Sequence, residues 1–292
     1  MTQPPLLTLR RPADADEAAI ARLHEIARRA LDADGQPPFN DQALVDVRTG
    51  GRALVIAVDA HGIEAGAAIV GDGELELAIL PDRRGTGLGG AFVDLLLADP
   101  DLPRVERAWA HGDHPAARRI ASTHGFARTR TLLQLRMPLA AADGGTGSAF
   151  DVFRPGRDER EWVALNARVF ADHPEQGRLT VHDVLAREAE PWFDPGDVIV
   201  ARDEGGRMIG YNWLKVDGEV GEIYVLGVDD AAAGRGLGRS LMLAGLARLR
   251  ERGCTVAALY VDEENARAVR LYRSLGFADH TIDVQYSRTT DR

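Results

Sequence analysis

The feature that most constrains this chain is a repeat within it. Arg84-Gly-Thr-Gly-Leu-Gly89 is answered 149 positions later by Ala233-Gly-Arg-Gly-Leu-Gly238. His124-Gly-Phe126 is answered by Leu275-Gly-Phe277, and Gln134 by Gln285, both at an offset of 151. Three landmarks at nearly one spacing describe a duplicated unit, and 292 residues make two units of about 150 residues each, a common domain size. The small, Gly-rich stretch Ala140-Ala-Ala-Asp-Gly-Gly-Thr-Gly-Ser-Ala149 has linker chemistry. The expected domains are therefore 1–143 and 150–292.

Each copy reads as an α/β (α+β) unit with a mixed sheet. In the second copy, Val- and Ile-rich strands are expected near 151–154, 197–203, 207–217, 220–228 and 255–261, with Glu204-Gly-Gly206 and Asp217-Gly218 as turns. Apolar recurrence at three and four predicts helices near 158–170, 180–189, 236–252 and 264–275, followed by a closing strand through Ile282, Val284 and Tyr286. Antiparallel strands that lead into strand–helix–strand make the 236–252 helix a crossover between parallel strands.

Composition narrows the partners. With 35 basic against 45 acidic residues the net charge is −10, and no basic run offers a nucleic-acid surface. No apolar stretch approaches the roughly 20 residues of a membrane helix, and Met1 to Pro12 lacks a signal-peptide core. Cys254, the single cysteine, lies in a strand-like run, which leaves no disulfide framework and no zinc cluster. Asp172-His173 lacks a second pair at ligand spacing, so no metal is expected, and His111 and His114 read the same way. A cytoplasmic monomer acting on a small molecule is the expectation.

Glycines at a strand-to-helix turn let the backbone approach a ligand, and the free amides and helix dipole favour a phosphate. Gly85-x-Gly87-x-x-Gly90 even spells the dinucleotide pattern, but that pattern belongs after the first strand of a βαβ unit, whereas these turns follow three or more strands.

Strand, x-x-Gly-x-Gly, helix, then Asn265-x-x-Ala268…Tyr272…Gly276-Phe277, resembles the GCN5-related N-acetyltransferase (GNAT) superfamily. Phe170-Ala-Asp-His-Pro-Glu-Gln-Gly177, Trp192-Phe-Asp-Pro195, Gly221-Glu-Ile-Tyr-Val-Leu-Gly-Val-Asp229, Trp109-Ala-His-Gly112 and Gln134-Leu-Arg-Met-Pro-Leu139 extend the similarity along nearly the whole chain. The tandem arrangement resembles more closely those members that acetylate the cysteinyl amine of a glucosaminyl-inositol thiol conjugate. Two other readings keep the fold: another small amine or a protein N-terminus as acceptor, or a non-catalytic coenzyme A sensor.

The resemblance implies acetyl-CoA as co-substrate. Backbone groups of Leu226, Gly227 and Val228 would meet its pantetheine arm, and amides of Ala233, Gly234, Arg235, Gly236, Leu237, Gly238 and Arg239 its pyrophosphate. Asn265, Ala266, Arg267, Ala268, Val269 and Arg270 complete the binding set, which in the first copy becomes Leu77, Ala78, Ile79, Arg84, Gly85, Thr86, Gly87, Leu88 and Gly89. Ala233 departs from the Gln or Arg usual at its position, which implies weakened affinity. Amide formation needs a base to deprotonate the ammonium and an acid to protonate the leaving thiolate. The resemblance gives these roles to Glu222 and Tyr272. It gives acceptor contacts to Asp41, Glu175, Lys215, Glu222 and Tyr260, with Asp41 coming from the first copy. Counted from the Gly-Phe landmarks, Tyr272 corresponds to Ala121 and Asn265 to His114, while Glu222 falls near Gly73, with Glu74 beside it. The first copy is therefore expected to bind coenzyme A at most.

Overall fold

The computed structural model describes residues 7–13, 16–140, 150–171 and 176–288. In chain order the elements are β1 (Leu7–Arg10), α1 (Glu17–Asp34), α2 (Asp41–Thr49), β2 (Ala53–Asp59), β3 (Glu64–Gly71), β4 (Glu74–Ile79), α3 (Leu88–Ala98), β5 (Arg107–His111), α4 (Pro115–Thr123) and β6 (Phe126–Pro138). There follow β7 (Asp151–Val152), α5 (Glu159–Val169), α6 (Val181–Glu188), β8 (Val198–Arg202), β9 (Met208–Asp217), β10 (Val220–Val228), α7 (Leu237–Glu251), β11 (Val256–Asp262), α8 (Ala266–Ser274) and β12 (Ala278–Arg288).

The chain forms two compact units, and they run differently from the division expected at 143–150. One comprises Met1–Leu132 with Thr281–Arg292, the other Leu133–His280. The last strand of the second repeat thus belongs to the first unit: β12 pairs antiparallel with β5, Asp283 opposite His111 and Tyr286 opposite Ala108. The second unit keeps β6 from Leu133 onward, where the Leu139 amide donates to Thr255 O at 2.8 Å. Strands that pair by backbone hydrogen bonds alone can trade places between like units, and the expected linker, 141–149, lies outside the described residues.

In the first unit, β1 to β4 form an antiparallel run and β4 pairs parallel with β5. Helices cover both faces. Leu23, Ile26 and Ala30 of α1 and Val47 of α2 pack with Ile56 and Ile69, while Phe92, Val93 and Leu96 of α3 pack with Val55, Ala57 and Val284. In the second unit, β7 to β10 are antiparallel and β10 pairs parallel with β11 across the α7 crossover, as the sequence pattern predicts. Trp162 and Leu165 of α5 and Val184 of α6 close one face over Tyr211, Trp213 and Val225. On the other face α7 lies so close that a Cβ on Gly245 would stand 2.2 Å from Asn212 Nδ2, whose amide donates to Leu241 O at 2.9 Å.

Candidate active site

Both units build an opening where their parallel strands part. In the second unit the β10–β11 ladder runs from Val220–Val256 to Ile223–Leu259 and then stops. In the first, β4 and β5 pair only at Glu74–Arg107 and Leu75–Ala108. Beyond those points Leu226, Gly227 and Val228, and likewise Leu77, Ala78 and Ile79, keep only their other neighbour in the sheet, so backbone groups on the open side are left for a ligand, except the Ile79 carbonyl, which accepts from Arg84.

The Gly-rich turns follow. Gly234 and Gly236 have φ of +80° and +84°, and Gly85 and Gly87 have +76° and +85°, conformations that residues with a Cβ resist. A Cβ on any of these four would meet nothing within 4 Å, so the turns face open space. Gly236 and Gly87 cap α7 and α3 without a side-chain hydrogen bond, which leaves first-turn amides for an anion. At the first position of the turn, Arg84 bonds Ile79 O at 2.9 Å and pairs with Asp34 at 2.6 Å, so its counterpart Ala233 removes a brace on the turn as well as a charge. Arg239 reaches Ser274 Oγ at 3.1 Å and ties α7 to α8. In the first unit the opening is a cavity of about 620 Å³, lined among others by Leu77, Ile79, Arg84, Gly87, Ala121 and Tyr286.

Asn265 and His114 are N-caps of α8 and α4, bonded to the amides of Ala268 and Ala116 at 3.1 Å. Seven residues on, Tyr272 and Ala121 are buried at matching positions. The Tyr272 ring packs edge-on to Phe277, 6.1 Å between centroids, and burial pushes its phenol up to about 12. Such a phenol is held neutral, the form in which it can donate a proton.

Glu222 lies one residue before the ladder ends, opposite Lys215 on β9 and Ala258 on β11. Paired residues point to one face of a sheet, as do residues two apart in a strand, so Glu222, Lys215 and Tyr260 share a face. Tyr260 is exposed and accepts from Gln134 Nε2. The Lys215 ammonium stands 5.5 Å from the Trp192 ring centroid, a contact that sequence spacing does not reveal.

The register between Ile223 and Val225 slips by one residue, a bulge at Tyr224. This accounts for the repeat arithmetic. Ladder ends Ile223 and Leu75 differ by 148, and the glycine turns after them by 149, so the second copy carries one extra residue between these points. The register counterpart of Glu222 is therefore Glu74, one position beyond the Gly73 expected by counting. Glu74 is buried and bonded to Arg107 at 3.1 Å and Arg52 at 3.3 Å. Its carboxylate is held in ion pairs on both sides.

Asp41 is the exposed first residue of α2, in the first unit. Glu175 and Asp172-His173 lie outside the described residues. His111 is half-buried and bonded to Glu76 and Asp283, each at 3.2 Å. Among the described residues no group of three or more His, Cys, Asp or Glu could hold a metal, and no helix is long and apolar enough to cross a membrane.

The Acetyltransferase (GNAT) family matches residues 162–277. The chain is 44% identical over 295 residues to a mycothiol acetyltransferase of Thermobispora bispora, covering 95% of this chain and 98% of that protein. It is 46% identical over 276 residues to a mycothiol acetyltransferase of Clavibacter michiganensis, covering 90% of each. Of solved structures, a GCN5-related N-acetyltransferase from Sphaerobacter thermophilus is similar with a TM-score of 0.67 at 24% identity, over 98% of this chain and 96% of that one. A tandem GNAT protein from the clavulanic acid biosynthesis pathway gives 0.68 at 17% identity, over 96% and 97%.

Proposed function

The chain belongs to the mycothiol acetyltransferase family, tandem members of the GNAT superfamily, and from that premise we propose that it acetylates the cysteinyl amine of desacetylmycothiol, forming mycothiol and coenzyme A. Acetyl-CoA supplies the thioester carbonyl. Chemistry is assigned to the second unit, and the observation that carries this is the contrast between equivalent places: Glu222 and Tyr272 there, against an ion-paired Glu74 and a methyl group at Ala121 in the first unit.

In this reading Glu222 takes a proton from the acceptor ammonium, directly or through a water, so that the amine can attack. Tyr272, held neutral by burial, gives its proton to the departing sulfur. The uncapped start of α7 holds the pyrophosphate, and the free side of Leu226 to Val228 aligns the pantetheine arm. Lys215 and Tyr260, on the face of Glu222, meet the polyol-bearing acceptor, with Glu175 as a further contact. The first unit binds coenzyme A in its own cavity without turnover. The proposal includes a cytoplasmic monomer and no metal.

Incubation with acetyl-CoA and desacetylmycothiol, followed by thiol release and mass analysis, tests the function. The expected product carries one N-acetyl group on cysteine. Release only with other amines would reassign the acceptor, and coenzyme A binding with no release would make the chain a sensor.

A further inference from the structure

Tyr272 and Ala121 stand at matching places, each following the cap of its helix at the same spacing, and they differ by a whole phenol. In the second unit that phenol is buried and seated edge-on against Phe277, 6.1 Å between centroids. In the first unit the counterpart of Phe277 is Phe126, and Ala121 and Phe126 both line the cavity of about 620 Å³. The space that Tyr272 fills in one unit is thus part of a cavity in the other.

Neighbouring side chains do not close it. Tyr286 reaches the cavity from β12, but its hydroxyl is turned to Asp113, to which it donates at 2.7 Å. Arg288 stands over the Phe126 ring at 5.6 Å and does not line the cavity. His111 lines it with both ring nitrogens already bonded, to Glu76 and Asp283. Leu75, Val93, Ala110 and Ile120 add apolar wall, the lining that a hydrocarbon chain prefers. The same cavity extends to the turn at Gly85 and Gly87 and to Leu77 and Ile79 on the open side of β4.

In the second unit the Tyr272 phenol is read as meeting the coenzyme A sulfur. The matching space in the first unit then borders the thioester, where an acyl chain begins. We infer that the first unit's cavity selects a coenzyme A thioester whose acyl chain is longer than acetyl, its first methylenes lying beside Ala121 and Phe126. The inference rests on the reading that the first unit binds coenzyme A. A methyl group in place of the phenol does two things at once: it removes the proton donor from the sulfur and opens an apolar seat, so a longer thioester is held without being spent.

Calorimetric titration of the full chain with acetyl-, butanoyl- and hexanoyl-CoA, in the absence of acceptor, tests this. Gly87→Ala strains the first turn at a φ of +85° and identifies the first unit's binding event as the one it weakens several-fold. Affinity at that event should rise with chain length, about fourfold for each methylene that becomes buried. The second unit's event, where Tyr272 takes up the seat, should show no such gain. Ala121→Tyr should bring the hexanoyl-to-acetyl affinity ratio of the first unit to about one. Ala121→Leu, which serves if the tyrosine variant folds poorly, should lower that ratio. No gain with chain length, an equal gain at both events, or a ratio that both variants leave unchanged overturns chain-length selection alone. If Gly87→Ala weakens no binding event, the first unit does not hold coenzyme A, and that reading falls together with this inference.

Discussion

His111 shows how context decides what a residue does. Burial by itself would lower its pKa, but bonds to Asp283 and Glu76 and their charges hold it up at about 10. Because that value lies above the ordinary 6.5, the imidazolium contributes stability in full below about pH 6.5 and loses it as pH rises toward about 10. Thermal melts across that range should show this falling limb, and it should be absent in His111→Gln. An equal slope in both proteins would remove the ion pairs of His111 with Glu76 and Asp283 from the account. Glu74 and Glu222 teach the same lesson. Sequence alone locates both carboxylates, but that Glu74 is an ion-paired anion shows only through Arg52 and Arg107, which arrive from 22 residues before and 33 residues after it.

At the scale of elements, most of the architecture is legible in the sequence. The second copy's helices and strands lie close to the expected ranges, because apolar periodicity and Gly turns mark them locally. Asn265 and His114 are recognisable by spacing, and both prove to be caps. The bulge at Tyr224 was not legible, since it leaves no composition signal and shows only as a one-residue change of offset once the ladder is known. The lysine–tryptophan contact at Lys215 stays hidden for the same reason: it joins a strand to a loop. The glycine turns allow a direct check. Gly236→Ala forces a Cβ into a φ of +84°, costing about 1 kcal/mol and bending the amides that face the phosphate site. The KM for acetyl-CoA should rise several-fold while the acceptor KM holds. An unchanged acetyl-CoA KM would take the turn out of the binding site.

For the whole molecule, the exchange of terminal strands is what sequence could not give. Repeat spacing places β12 with the second copy, but its side chains Val284 and Tyr286 fill the core of the first unit, and the Tyr286 hydroxyl donates to Asp113 at 2.7 Å. Two buried side chains of this size are worth about 2–3 kcal/mol each, comparable with much of a small domain's margin. A fragment of residues 1–143 should therefore lack a cooperative melt, and addition of a peptide spanning β12 should restore one. A sharp melt of the fragment alone would contradict this. The central claim is that acetyl transfer takes place in the second unit through Glu222 and Tyr272. Single-turnover acetyl transfer by the Glu222→Gln, Tyr272→Phe double variant, with acetyl-CoA affinity measured separately, tests it most directly. The account predicts a rate lowered by at least about 10³-fold at unchanged affinity, the combined size of a lost base and a lost acid. A rate near that of the unaltered protein would contradict it.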